Sequence, residues 1–248
     1  PHEINQVTGM ARMDAVHQRR RYEAANWSPA LPDHRPTILF FSVFEEYGLP
    51  FIRRKVDGQQ FDDALPDEYS GLNWSSLMTA LHHALVELGQ AHPDLDVIIK
   101  TKGDPDSAQS LRRMFGEVLK LPANVRLVSG GDPLDLIFAA DVVCGFNTTA
   151  LVEAIAADAA VVVPKFAGAI DPAMAGYVMD FGGAVEGAES LEQMTESLVN
   201  LARRGRLAPA SELNDEQRRI LDHWVGNADG CAGERVRDAL ARIVGLAS

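Results

Sequence analysis

Ala140-Asp-Val-Val-Cys-Gly-Phe-Asn-Thr-Thr-Ala-Leu-Val-Glu-Ala-Ile-Ala-Ala-Asp-Ala-Ala-Val-Val-Val-Pro164 decides the fold. Val142–Cys144 and Val161–Val163 are apolar at every position, the mark of strands covered on both faces. Between them Asn147, Thr148 and Thr149 break the apolar run and open an alanine-rich helix. Free backbone N–H groups and the helix dipole favour an anion at such a start. Thr149 and Glu153 stand four residues apart and share one helix face. A hydroxyl at the tip and a carboxylate one turn deeper suit a phosphate followed by a ribose, so the stretch reads as a nucleotide seat. Glu153 lies in an otherwise small and apolar segment, where an unpartnered carboxylate is costly. A ligand is its expected partner, with Lys165 as the structural alternative.

The same alternation extends to both sides. Thr37–Val43, Asp96–Lys100 and Val125–Val128 read as strands; Trp74–Ala91 reads as a helix with Leu77, Leu81, Leu85 and Leu88 on one stripe. Ser107–Lys120 reads as a helix facing inward through Leu111, Met114, Phe115, Val118 and Leu119. Asp132-Pro133 supplies an N-cap and a first-turn proline for a helix to Ala140. Leu191–Arg204 and Glu234–Val244 complete the set as amphipathic helices. The expected fold class is α/β: a Rossmann-like open parallel sheet flanked by helices. Residues 1–35 read as a junction and linker, with a strand end and turn at Val7–Asp14, a polar helix at Arg19–Asn26, and a proline-rich extended stretch at Ser28–Pro36. Residues 36–248 read as the nucleotide-sugar-binding domain. Phe44–Asn73 interrupts the rhythm, and within it Phe51–Phe61 is patterned as a hairpin around Asp57-Gly58.

Composition narrows the function. The 248 residues carry a net charge of −12, which gives no bulk attraction to nucleic acid or anionic lipid. Two cysteines fit no metal or redox spacing and suit a reducing cytoplasm; Cys144 reads as a buried small hydrophobe. No apolar run reaches membrane-spanning length and no signal peptide is read. Pro1 in place of Met predicts a chain processed or excised from something longer.

Ligands of open parallel sheets bind beyond the strand C-termini. The residues expected there are Ser42, Glu45 and Glu46; Lys100, Thr101 and Lys102; Gly130, Gly131 and Asp132; Asn147, Thr148 and Thr149; and Pro164, Lys165 and the loop through Asp171. Lys100 and Lys102 alternate on an extended segment and so point the same way, where two ammonium groups suit a pyrophosphate; solvated lysines at a strand end are the alternative, above all for Lys102. Gly130-Gly131 allows close backbone approach to a base or sugar. Glu45 and Glu46 are candidates for a catalytic base or an acceptor-sugar contact. Neither GxGxxG nor a P-loop is present, so neither NAD nor an ATPase site is indicated. His82 and His83 lack metal-ligand spacing and are expected as one surface and one edge residue.

Four stretches in order resemble the C-terminal half of GT-B-type glycosyltransferases, in particular those that build bacterial capsule and surface polysaccharides. Val7-Thr-Gly-Met-Ala-Arg-Met-Asp14 is similar to their junction "TGxPRxD", and Asp96-Val-Ile-Ile-Lys-Thr-Lys102 to their "vvvKpHP" strand. Ala140–Pro164 resembles the block "ADvvig.nSttlxEAlaxgkPvivP", and Gly230-Cys-Ala-Gly-Glu-Arg-Val236 the tail "dGkasxRv". The resemblance implies a metal-independent, cofactor-free enzyme whose donor is a CMP-, UDP- or CDP-linked sugar. It places Glu153 on the ribose, Asn147, Thr148 and Thr149 on the phosphate side, Lys100 on the donor phosphates, and Gly130–Asp132 near the base. It further implies a glycan acceptor, an N-terminal acceptor domain or partner chain that brings the base, and a cytoplasmic location at the inner membrane face. Lys102 departs from the family's histidine, and Asp158-Ala159-Ala160 from its Gly-Lys-Pro turn. A sugar-nucleotide epimerase of the same architecture and a non-catalytic assembly module are the alternatives.

Overall fold

The computed structural model describes residues 7–29, 33–42, 53–56, 59–62, 73–102, 111, 115 and 121–244. Helix α1 (Met13–Ala25) precedes strand β1 (Thr37–Phe41), a two-stranded unit β2 (Arg53–Val56) and β3 (Gln59–Asp62), and helix α2 (Ser75–Ala91). Then follow β4 (Asp96–Thr101), β5 (Val125–Ser129), α3 (Pro133–Ala139), β6 (Val142–Gly145), α4 (Thr149–Ala156), β7 (Val161–Pro164) and β8 (Glu186–Ala188). Helices α5 (Leu191–Arg204), α6 (Asp215–Val225) and α7 (Ala232–Ile243) come last.

Among the described residues six strands form one sheet in the order β5-β4-β1-β6-β7-β8, every pair parallel. Alternation of side chains along the strands divides the core in two. Ile38, Phe40, Val97, Ile99, Val142, Cys144 and Val162 pack with Leu77, Leu81 and Leu85 of α2 and Met194 and Leu198 of α5. Leu39, Phe41, Ile98, Val143, Val161 and Val163 pack with Met13 and Val16 of α1, Ile137 of α3, Leu151 and Ile155 of α4, and Ile220 of α6. Both faces are thus covered, which is why Ile38–Phe41, Val97–Ile99, Val142–Cys144 and Val161–Val163 are unbroken apolar runs. The burial of Cys144 in the first core pushes its thiol well above the ordinary range.

β2 and β3 pair antiparallel with Val56 opposite Gln59, the register expected of a hairpin at Asp57-Gly58. Leu111 is buried and Phe115 packs at the edge of the first core; the rest of the expected helix at Ser107–Lys120 lies outside the described residues.

The segment before Pro36 is more than a connector. Among the described residues no strand reaches Val7: a turn at Ala11-Arg12 leads directly into α1, whose Met13, Val16, His17 and Arg20 are buried. One clamp holds this helix to α7. The Asp14 carboxylate accepts from the Ala232 and Gly233 N–H groups (3.1 and 2.7 Å) and from Asn227 Nδ2 (2.7 Å). Burial pulls that carboxyl upward, but the bonds from Asn227, Gly233 and Ala232 outweigh it and hold it below its ordinary pKa. Arg235 donates to the Thr8 carbonyl, and Met10 N–H to the Val225 carbonyl. Gly9, at φ +82°, sits where an added Cβ would lie 2.2 Å from the Gly226 oxygen. The two end motifs of the sequence are therefore one physical unit.

Candidate functional site

Without the β2–β3 hairpin, the sheet strands in chain order lie 3-2-1-4-5-6 in space, so connectivity reverses between β1 and β6. A crevice opens at such a reversal, outside the strand C-termini. Phe41 at the end of β1 pairs with Lys100 on one side and Gly145 on the other. Gly145 leaves room for close packing there, since a Cβ would lie 3.2 Å from that of Phe41.

Helix α4 starts at this edge. Thr148 is its N-cap and accepts from the Ala150 N–H, while Thr149 is its exposed first residue. Asn147 adopts φ +51°, a left-handed conformation that asparagine tolerates. Its Nδ2 donates to the Tyr177 carbonyl (2.8 Å) and its Oδ1 accepts from the Met179 N–H (3.0 Å). The side chain expected to serve a phosphate is thus engaged in stapling the loop after β7, which leaves backbone groups of the helix tip to meet an anion. A cavity of about 240 Å3 lies beside that staple, lined by Phe146, Asn147, Lys165, Val178, Met179 and Phe181 among others.

Glu153, 4 % exposed in its side chain, sits one turn inside α4 and pairs with the Arg12 guanidinium, which is 61 % exposed. The structural partner weighed from sequence, Lys165, is elsewhere: its stem lies against Gly187. Burial of Glu153 therefore does not by itself require a ligand, because Arg12 neutralises it. Among the described residues, however, neither carboxylate oxygen accepts a hydrogen bond of ordinary geometry.

Lys100 is buried and donates from Nζ to the Thr101 carbonyl (2.6 Å); burial holds its ammonium below the ordinary lysine pKa. Lys102 lies past the end of β4 and is exposed, so the two lysines do not share one environment as alternation suggested. Gly130 and Gly131 have φ of +73° and +76° with open space where a Cβ would stand. Asp132 caps α3 by accepting from the Leu134 N–H (2.9 Å). Glu45 and Glu46 lie outside the described residues.

One buried pair at this edge departs from the sequence-based expectation. His82 is fully buried rather than a surface or edge residue, while His83 is exposed. His82 Nδ1–H donates to the Met78 carbonyl (2.7 Å), so Nε2 accepts from the Ser42 hydroxyl (2.8 Å). Ser42 N–H in turn donates to the Lys100 carbonyl (2.9 Å), continuing the ladder one residue past β1. Desolvation lowers the His82 pKa to about 4. Arg12 is a further partner that sequence reasoning missed; its place in the junction motif carries no distance to Glu153.

Among the described residues no cluster of His, Cys, Asp or Glu is arranged to hold a metal, and no helix is long and apolar enough to cross a membrane.

No family model and no curated protein matches the chain. Solved structures do match. A putative UDP-N-acetylglucosamine 2-epimerase from Listeria monocytogenes is 13 % identical with a TM-score of 0.47, over 98 % of this chain and 54 % of the other. The UDP-GlcNAc 2-epimerase of Neisseria meningitidis, bound to UDP-GlcNAc, is 13 % identical with a TM-score of 0.45, over 95 % and 54 %. KpsC, a β-Kdo 2,4-transferase from Thermosulfurimonas dismutans, is 12 % identical with a TM-score of 0.38, over 91 % and 63 %. The chain spans about half the length of the two epimerases.

Proposed function

We propose that the chain is the donor-binding half of a glycosyltransferase, seating a nucleotide-sugar at the C-terminal edge of its sheet for transfer to a surface or capsular polysaccharide acceptor. The observation that carries this is the reversal of strand order between β1 and β6 with the tip of α4 opening directly beside it. The N–H groups at that tip and the Lys100 ammonium would stabilise the leaving nucleotide phosphate. Glu153, which has Arg12 against Oε1 and no hydrogen-bond partner on Oε2 among the described residues, would take the ribose hydroxyls. Gly130-Gly131, with open space above it, would lie beside the base. An acceptor domain or partner chain would complete the cleft and bring the acceptor into line.

Titration of CMP-, UDP- and CDP-linked sugars against the purified chain tests the proposal. Binding of one series supports it, and binding of none favours an assembly role instead. Product analysis then separates transfer from epimerisation, which needs no acceptor.

A further inference from the structure

The Arg12–Glu153 pair has an unusual asymmetry. The acid is almost wholly enclosed, whereas the base projects 61 % into solvent. The backbone on both sides of Arg12 is pinned. Met10 N–H is bonded to Val225, the Met10 carbonyl accepts from Asn227 Nδ2 at 3.0 Å, and the Asp14 carboxylate is fixed on the start of α7. Movement at Arg12 is therefore confined to its side chain. An arginine side chain loses little by returning to water, whereas a buried carboxylate cannot be left without donors.

We infer that Arg12 is a placeholder on Glu153: it occupies the carboxylate while the site is empty and is displaced by the ribose diol when a nucleotide binds. This rests on the assignment of Glu153 to the ribose. Two hydroxyl donors take the place of the guanidinium and supply both carboxylate oxygens, so the exchange does not leave the buried acid without donors. The ion pair subtracts from affinity because it must be broken first. It also rewards a full diol: a 2′-deoxyribose would give up the guanidinium and return one hydroxyl, leaving an acceptor unpaired.

The test is a titration of whichever of UDP, CDP or CMP binds the wild-type chain, with its 2′-deoxy analogue, against Arg12→Gln, Arg12→Lys, Glu153→Gln and the double variant Arg12→Gln/Glu153→Gln. Arg12→Gln should bind the ribonucleotide about five- to tenfold more tightly. That gain should vanish when Glu153 is already replaced by glutamine, and Arg12→Lys, which keeps the charge without the fork, should fall between. The wild-type chain should bind the deoxy analogue at least about tenfold more weakly. Weaker binding by Arg12→Gln would show a direct ligand contact and overturn the placeholder role, as would an unchanged affinity. Should Arg12→Gln fail to fold, Arg12→Lys against wild type decides by the sign of its change alone. Absence of any binding by the wild-type chain would sink the ribose assignment itself, and this inference with it. A loss of deoxy discrimination confined to Glu153→Gln supports the assignment whatever Arg12 does.

Discussion

Acidification should expose the buried imidazole at the crevice edge. His82 is fully enclosed, with Phe40 and Phe115 edge-on to its ring at 5.0 and 6.0 Å, and both nitrogens are already committed. A proton on Nε2 would turn the Ser42 hydroxyl from donor to acceptor and, above all, would charge an apolar pocket. The folded chain therefore resists protonation until about pH 4, whereas histidine ordinarily titrates at 6.5. Stability from this residue is complete above the unfolded value and is lost as pH falls from 6.5 towards about 4. At ~1.36 kcal/mol per unit, the full loss is about 3 kcal/mol, of which about 2 kcal/mol has appeared by about pH 5. Urea unfolding of the wild-type chain and of His82→Gln between about pH 7.5 and about pH 5 isolates the effect. The substituted glutamine does not titrate, so the stability difference between the two chains should shrink by about 2 kcal/mol across that range. His17, also buried and held below its ordinary pKa chiefly by desolvation, contributes to both chains and cancels. Equal pH dependence in the two chains would refute the reasoning.

Four further outcomes follow from the geometry. Gly9→Ala should lower stability by more than about 2 kcal/mol in thermal unfolding, because it adds a backbone clash to left-handed strain. Gly131→Ala, with open space around it, should cost only about 1 kcal/mol. Asp141→Ala should cost about 2–4 kcal/mol by denaturant titration. Its carboxylate accepts from the N–H groups of Thr37 (2.7 Å) and Arg206 (2.9 Å) and bonds His34 (2.9 Å), joining the start of β1 to the loop after α5. Lys100→Met should weaken a bound nucleotide about tenfold by calorimetry, leave the matching nucleoside unaffected, and not lower stability, since it removes a buried charge.

The layers of this fold were legible because the core of each inner strand is an apolar run and α2 carries one apolar stripe, while α4 is small and apolar almost throughout. Leu39 and Phe40 point to opposite cores, and no sequence in which one face met water would show both. β8 is hard to read because Glu186-Gly187-Ala188 is short and nearly without apolar content; it is a strand through its pairing with β7. α6 does carry a readable signal that the sequence reading omits: Asn214 and Gln217 form a reciprocal capping box. The altered turn at Asp158 also has its reason in space. Asp158 sits at φ +55°, accepts from Ala210 N–H (2.7 Å) and Gln217 Nε2 (2.7 Å), and so ties α4 to α6 as glycine could not. At the site, period and spacing placed Glu153 one turn below the helix tip, but they held no information on what lies across from it. Arg12 is 141 residues away in sequence and reaches Glu153 only because the clamp between the chain's two end motifs sets the start of α1 there. His82 departs from expectation for the same reason: whether a helical histidine faces water or core depends on the strand it meets.

The central claim is that a nucleotide's charged and hydroxylated portion sits on the first turn of α4. Amide NMR of the 27.0 kDa chain titrated with UDP, CDP and CMP tests this most directly. The account predicts saturable shifts at Thr149–Glu153 and at Gly130-Gly131 for at least one nucleotide, with the α4 shifts lost in Glu153→Gln. Saturable shifts confined to the outer groove between α2 and α5, around Leu88 and Val199, or no saturable shift with any nucleotide, would contradict it.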